Sequence, residues 1–157
     1  MASRNDRRRG VIDTSVLAAG IAGFKPRRAV RNPSAALLRD WIENTTFTWL
    51  VSEDILAEYK EVLARLGVRR SLIGKVVNLL REEGEFVDVR FASNVSADPD
   101  DNPFCACAEQ AQAAFIATLN PRDFPQKELS ARVISPGDPL PTTRRRPSSP
   151  YHGKPKA

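Results

Sequence analysis

Asp13, Glu58, Asp98, Asp100, Asp101 and Asp123 carry the side chains best suited to chemistry in this sequence. Asp13 closes the apolar run Gly10-Val11-Ile12, so it emerges where a buried strand ends. Asp98, Asp100 and Asp101 lie in Asp-Pro-Asp-Asp-Asn-Pro ahead of a helical stretch. One of them can cap that helix, and a cap does not need three carboxylates. Asp123 stands in Asn-Pro-Arg-Asp-Phe-Pro, where turn formation is an alternative use, and Asp13 could equally be the N-cap of the helix that follows it. If these carboxylates meet, their mutual repulsion raises their pKa values unless a cation relieves it. The single histidine, His152, lies near the C-terminus, and no cysteine pair has zinc spacing. Oxygen ligands therefore favour Mg²⁺ or Mn²⁺. Such an ion keeps several waters, grips phosphate oxygens and acidifies bound water, which implies phosphodiester hydrolysis of a nucleic acid.

The elements that must position these groups alternate in type. An apolar strand at 10–13 precedes a helix through Val16, Leu17 and Ile21. Ser34 is expected to cap a second helix with Leu37, Leu38, Trp41 and Ile42 on one face. Residues 46–51 read as a strand. Ser52 caps a helix whose Ile55, Leu56, Tyr59, Val62, Leu63 and Leu66 form a stripe ended by Gly67. A helix at 71–83 is stopped by Gly84, and a strand is expected at 85–89. Asp100 or Asp101 begins a helix with Pro103 in its first turn and Phe104, Cys107, Ala108 and Ala111 inward. Strands at 114–119 and 132–135 flank a loop. This order predicts an α/β layer fold with a central, mainly parallel sheet of four to five strands, whose strand C-termini are the place for chemistry. On the 53–66 helix, Glu58 lies about 100° from the centre of the apolar stripe, closer than Glu53, Asp54 or Glu61. It can face the site from there or pair with a surface arginine.

The chain's net charge is +5, unevenly placed: residues 1–10 carry +3, residues 141–157 carry +5, and the body is −3. Nucleic-acid affinity read from the total charge would thus reside in the arms, while the body is mildly acidic. Residues 1–9 read as a basic arm, 10–140 as one domain, and 141–157, rich in Pro, Ser and Arg, as a disordered basic tail. No apolar run reaches membrane-spanning length, and no secretory signal core follows the N-terminal arginines, so a cytoplasmic protein is expected. Cys105 and Cys107 point apart on a helix and form no disulfide framework, as suits a reducing compartment.

Four segments resemble the PIN-domain family, specifically the toxin component of bacterial toxin–antitoxin pairs: Val11-Ile12-Asp13-Thr14-Ser15-Val16-Leu17, Ser52-Glu53-Asp54-Ile55-Leu56-Ala57-Glu58-Tyr59, Asp98-Pro99-Asp100-Asp101-Asn102-Pro103-Phe104, and Ala117-Thr118-Leu119-Asn120-Pro121-Arg122-Asp123-Phe124. Their order and spacing over about residues 10–140 carry the likeness, with a terminal strand at Arg132-Val133-Ile134-Ser135. The resemblance implies a three-layer α/β/α fold and an acidic pocket holding Mg²⁺ or Mn²⁺. It also implies cleavage of single-stranded RNA, a cognate antitoxin as partner, and a homodimer. By the same resemblance Asp13, Glu58 and Asp101 are catalytic acids, with Asp13 and Asp101 as metal ligands; the fourth place falls on Asn120 or on Asp123 three residues on, and Ser15 and Asp98 lie around them. Three positions depart from the family pattern. Leu119 stands where a small or basic residue is common, which alters substrate approach. Asn120 stands where many relatives have Asp, so it supplies an amide and no charge. Ser15 stands where Asn is common.

Arg27, Arg28 and Arg31 could steer RNA toward the pocket or be solvated loop charge. Trp41 and Trp49 fit core or dimer surface better than base-stacking platforms. The run Arg144-Arg145-Arg146 could bind RNA nonspecifically. A catalytically silent RNA- or partner-binding module of the same fold is the competing reading, supported by Asn120 and the basic arms. An aspartyl phosphatase ranks last, because Ser15 occupies the place of that mechanism's second Asp.

Overall fold

Val11 and Ile12 of β1 (Arg9–Ile12) are too apolar for any place but the middle of a sheet. In the computed structural model, which describes residues 8–24, 32–91 and 99–145, Val11 and Ile12 are at most 1% exposed. The remaining strands are β2 (Thr48–Val51), β3 (Glu85–Phe86), β4 (Phe115–Ala117) and β5 (Arg132–Ile134). They form one sheet in the order β3-β2-β1-β4-β5, every pair parallel. A parallel sheet covered by helices buries both faces, which accounts for the near-continuous apolar runs Trp49-Leu50-Val51 and Phe115-Ile116-Ala117. Gly10 lies opposite Phe115 in the β1–β4 register, and the Phe115 ring covers it so closely that a Cβ would overlap the ring.

The helices are α1 (Thr14–Gly23), α2 (Pro33–Asn44), α3 (Glu53–Arg65), α4 (Arg70–Glu83) and α5 (Asn102–Gln110). The fold is the expected mixed α/β layer with five parallel strands flanked by helices. Several strands are shorter than read from sequence: within 85–89 the strand is Glu85–Phe86, and within 114–119 it is Phe115–Ala117, the flanking Val87, Ala114 and Thr118 keeping backbone hydrogen bonds to neighbouring strands without extending the regular ladder. The cap of α2 is Asn32 rather than Ser34. Its side chain accepts hydrogen bonds from the Ser34 and Ala35 amides, with Pro33 in the first turn, and donates to the Ala19 carbonyl at 2.9 Å. Ser52 caps α3 as expected, accepting from the Ile55 amide. Ile55, Leu56, Tyr59 and Leu63 of its stripe are fully buried, whereas Leu66, beyond the last helical residue, is 63% exposed. Gly67 follows at φ +84°, a conformation that favours glycine.

Trp41, Phe47, Trp49, Tyr59, Phe104 and Phe115 form a continuous aromatic cluster, so both tryptophans belong to the core. Within it the Tyr59 hydroxyl donates to the Ile12 carbonyl at 2.5 Å and accepts from Trp49 Nε1 at 3.2 Å. At the other end of the sheet, Arg9 pairs with Glu85 across β2 and donates to the Ala111 carbonyl at 2.7 Å. Residues 141–145 stay tied to the domain: the Arg132 guanidinium donates to the Thr143 carbonyl, and the Arg145 amide to the Ser130 carbonyl. The rest of the expected tail, the residues before Arg8, and Arg27, Arg28 and Arg31 lie outside the described residues. Among the described residues no helix is long and apolar enough to cross a membrane.

Tyr59→Phe leaves the buried Ile12 carbonyl and the Trp49 indole N–H without this partner. It should lower stability by about 1–3 kcal/mol in urea unfolding, with an unchanged m-value.

Candidate active site

The chain runs outward from β1 through β2 to β3, then returns to the far side of β1 to form β4. β1 and β4 therefore flank the point where strand order reverses, and in open α/β sheets the crevice beyond the strand C-termini at that point binds ligands. Asp13 follows β1 there, and Thr118 follows β4. Ile12 is paired with Ala117, and the Asp13 amide donates to the Ala117 carbonyl at 2.9 Å, which brings the two side chains together.

Asp13 is 4% exposed. It occupies the N-cap position of α1, and its backbone carbonyl accepts from the Val16 amide at 3.0 Å, but its side chain makes no capping hydrogen bond. Its Oδ2 instead accepts from the Ser15 hydroxyl at 2.6 Å and from the Thr118 hydroxyl at 2.8 Å. Each hydroxyl is aimed by a backbone amide: Ser15 Oγ accepts from Leu119 at 3.1 Å, and Thr118 Oγ1 from Asn120 at 2.9 Å. Burial raises the Asp13 pKa, while the Ser15 and Thr118 hydroxyls and the nearby Thr14 and Ser15 amides lower it; burial dominates. Among the described residues no cationic side chain pairs with Asp13. Thr118 was not singled out from sequence. The signal was a hydroxyl residue after a buried apolar strand, and it becomes meaningful only once β4 is known to lie beside β1.

The other expected acids are placed as follows. Glu58 on α3 is half-buried, one residue before the fully buried Tyr59. Asp101 is half-buried at the N-cap of α5, with no capping hydrogen bond from its side chain, so the expected cap is not made by this residue. Asp123 is half-buried in the turn Pro121–Asp123, and Asn120 is exposed before it. Asp98 and the Asp100 side chain lie outside the described residues. Cys105 of α5 links two of these groups electrostatically: its thiol is pushed up to about 12, chiefly by burial and then by the negative fields of Asp101, Glu109 and Asp13. Asp13 and Asp101 thus both act on the same buried thiol. Cys105 and Cys107 are free and buried, without a disulfide.

Among the described residues no three Asp, Glu, His or Cys side chains are grouped as a metal cluster. Mg²⁺ usually takes only one or two carboxylates and fills its remaining positions with water and phosphate oxygens. A buried carboxylate that accepts from two hydroxyls and, among the described residues, pairs with no cationic side chain suits such a hard ion.

The family model for the PIN domain matches residues 9–122, well over half the chain, and this span includes Asp13, Glu58, Asp101 and Asn120. The chain belongs to the PIN domain family. PIN domains are generally nucleases and typically use divalent metals, which agrees with the position of Asp13 at the sheet's switch point. No curated protein matches the chain.

Because burial raises the Asp13 pKa, the ionised carboxylate weakens the folded state above that elevated pKa, and the effect fades as pH falls toward the ordinary aspartate value of 3.8. In chelator, the Asp13→Asn PIN domain should therefore melt higher than wild type at neutral pH, and the difference should shrink on acidification. Differential scanning calorimetry across pH checks this; a lower melting temperature for the variant at pH 7 would contradict burial as the dominant influence.

Proposed function

We propose that this PIN domain is a Mg²⁺- or Mn²⁺-dependent endoribonuclease that hydrolyses phosphodiester bonds in single-stranded RNA in the cytoplasm, as the toxin of a toxin–antitoxin pair. The observation that carries the reading is the buried Asp13 carboxylate, held at the switch point by the neutral Ser15 and Thr118 hydroxyls and, among the described residues, by no cation. Asp13 and Asp101 would hold the ion. When bound, the ion supplies charge stabilisation for the scissile phosphate and acidifies an attacking water. Glu58 would orient that water and accept its proton, while Asp123 and Asn120 complete the pocket. Ser15 and Thr118 fix the Asp13 carboxylate and so set which oxygen faces the crevice.

The partner on this reading is a cognate antitoxin. Support comes from an apolar cavity of about 360 Å³ between α1, α2 and α4, lined among others by Ile21, Phe24, Leu38, Leu72 and Leu79. Ile42 and Leu72 at this cavity are 46% and 40% exposed, an apolar surface suited to an inhibitor segment or a second copy in a homodimer. The competing reading, a catalytically silent RNA-binding module, draws on the amide at Asn120 and on the lack of a three-ligand cluster among the described residues.

A mixed single-stranded RNA pool should be cleaved with Mg²⁺ or Mn²⁺ and left intact in excess chelator. Asp13→Asn should reduce the rate by about two orders of magnitude or more while retaining native circular dichroism. RNA retention without cleavage under every divalent ion would favour the silent module, and full activity of Asp13→Asn would overturn the assignment. Thr118→Val should weaken Mn²⁺ binding about ten- to a hundredfold by calorimetry.

A further inference from the structure

The four residues after Thr118 differ from everything around them. Thr118 is fully buried, Leu119, Asn120, Pro121 and Arg122 are all exposed, and Phe124 is 2% exposed. An exposed segment between two buried anchors can still be ordered, and this one is. Leu119 and Asn120 are each two hydrogen bonds away from the Asp13 carboxylate, through Ser15 and Thr118 respectively. The Asp123 amide donates to the Asn120 carbonyl at 3.0 Å, and the Phe124 amide to the Pro121 carbonyl at 3.1 Å, closing the turn. Leu119 is 48% exposed, although its backbone is held at the edge of the crevice. Arg122 makes no ion pair among the described residues and sits on the same turn.

We propose that Leu119 and Arg122 form the contact strip for the substrate strand. Leu119 packs against a nucleobase or ribose beside the reacting phosphate, and the Arg122 guanidinium holds a neighbouring phosphate. The chemistry follows from the side chains. A single-stranded polynucleotide alternates apolar faces with anionic phosphates, and this strip offers an apolar surface and a cation in short succession. The body of the protein carries a net charge of −3, so a cation on a fixed turn beside the crevice bears on where a polyanion settles. Asn120 between them adds an amide that can donate to and accept from a base edge. The identity of the strand as RNA rests on the ribonuclease reading.

The test separates binding from cleavage. A labelled mixed-sequence single-stranded RNA is titrated by fluorescence anisotropy in Mg²⁺ over a series of salt concentrations, using the full chain with Asp13→Asn as parent. Arg122→Gln should weaken binding roughly fivefold and make the salt dependence shallower by about 0.7 in slope, the loss of one phosphate contact on a single strand. Leu119→Ser should weaken it by a similar factor at every salt concentration, leaving the slope unchanged, because an apolar contact releases no counterion. Arg65→Gln, at the far end of α3, should bind as the parent does. Both residues are exposed, so circular dichroism should stay native. Parent-like binding by Arg122→Gln and Leu119→Ser, or no RNA binding by the parent, would overturn the proposal. If the two variants bind weakly while the wild-type chain cleaves nothing, the contact strip stands and the ribonuclease reading fails.

Discussion

A carboxylate buried to 4% exposure at the junction of two parallel strands is the constraint to which the rest of this site answers. Taking such a charge out of water costs several kcal/mol unless hydrogen bonds or an opposite charge compensate. Here the compensation is deliberately partial in effect: two hydroxyls on Oδ2 and nearby amides lower the pKa, yet burial still leaves it raised. An arginine in place of either hydroxyl would neutralise the charge and also fill the position a cation needs. Neutral donors orient the carboxylate and leave its charge for something else to meet.

That arrangement depends on sheet topology. Only the reversal of strand order sets β4 beside β1, and only the pairing of Ile12 with Ala117 puts Thr118 beside Asp13. The peptide before Asp13 is fixed from below, where the Tyr59 hydroxyl grips the Ile12 carbonyl. Tyr59 and Glu58 are consecutive on α3, so the bond that anchors β1 also fixes the helix that carries the second acid. The opposite end of the sheet is secured independently by Arg9 with Glu85, and by the Glu109 carboxylate, which accepts from the Ser130 and Ala131 amides ahead of β5. Both ends of the sheet are thereby tied down, and the exposed run Leu119–Arg122 follows the C-terminal end of β4.

The sheet and its helices were legible because their apolar residues are long, buried runs at strand and helix periods. Asp13 was legible for the same reason, as a charge ending the most apolar strand. Side-chain capping was less legible: Asn32 displaces Ser34 because Pro33 can occupy the first helical turn, where its missing N–H costs nothing. Asp101, read as a helix cap, makes no such bond. Thr118 and the exposure of Leu119 were hidden, since both depend on which strands pair and in what register, and a parallel pairing between residues about 105 apart in sequence leaves no local trace.

Cys105 argues for the kind of ion this environment would accept. A thiolate beside Asp13 would bring a soft, zinc-favouring ligand into a hard-oxygen site. Burial and the fields of Asp101, Glu109 and Asp13 push that thiol up to about 12, so without a metal it stays protonated at neutral pH, and a soft ion would first have to displace its proton. Asp13 and Asp101, proposed above to hold the ion, are thus among the groups that keep the Cys105 sulfur protonated.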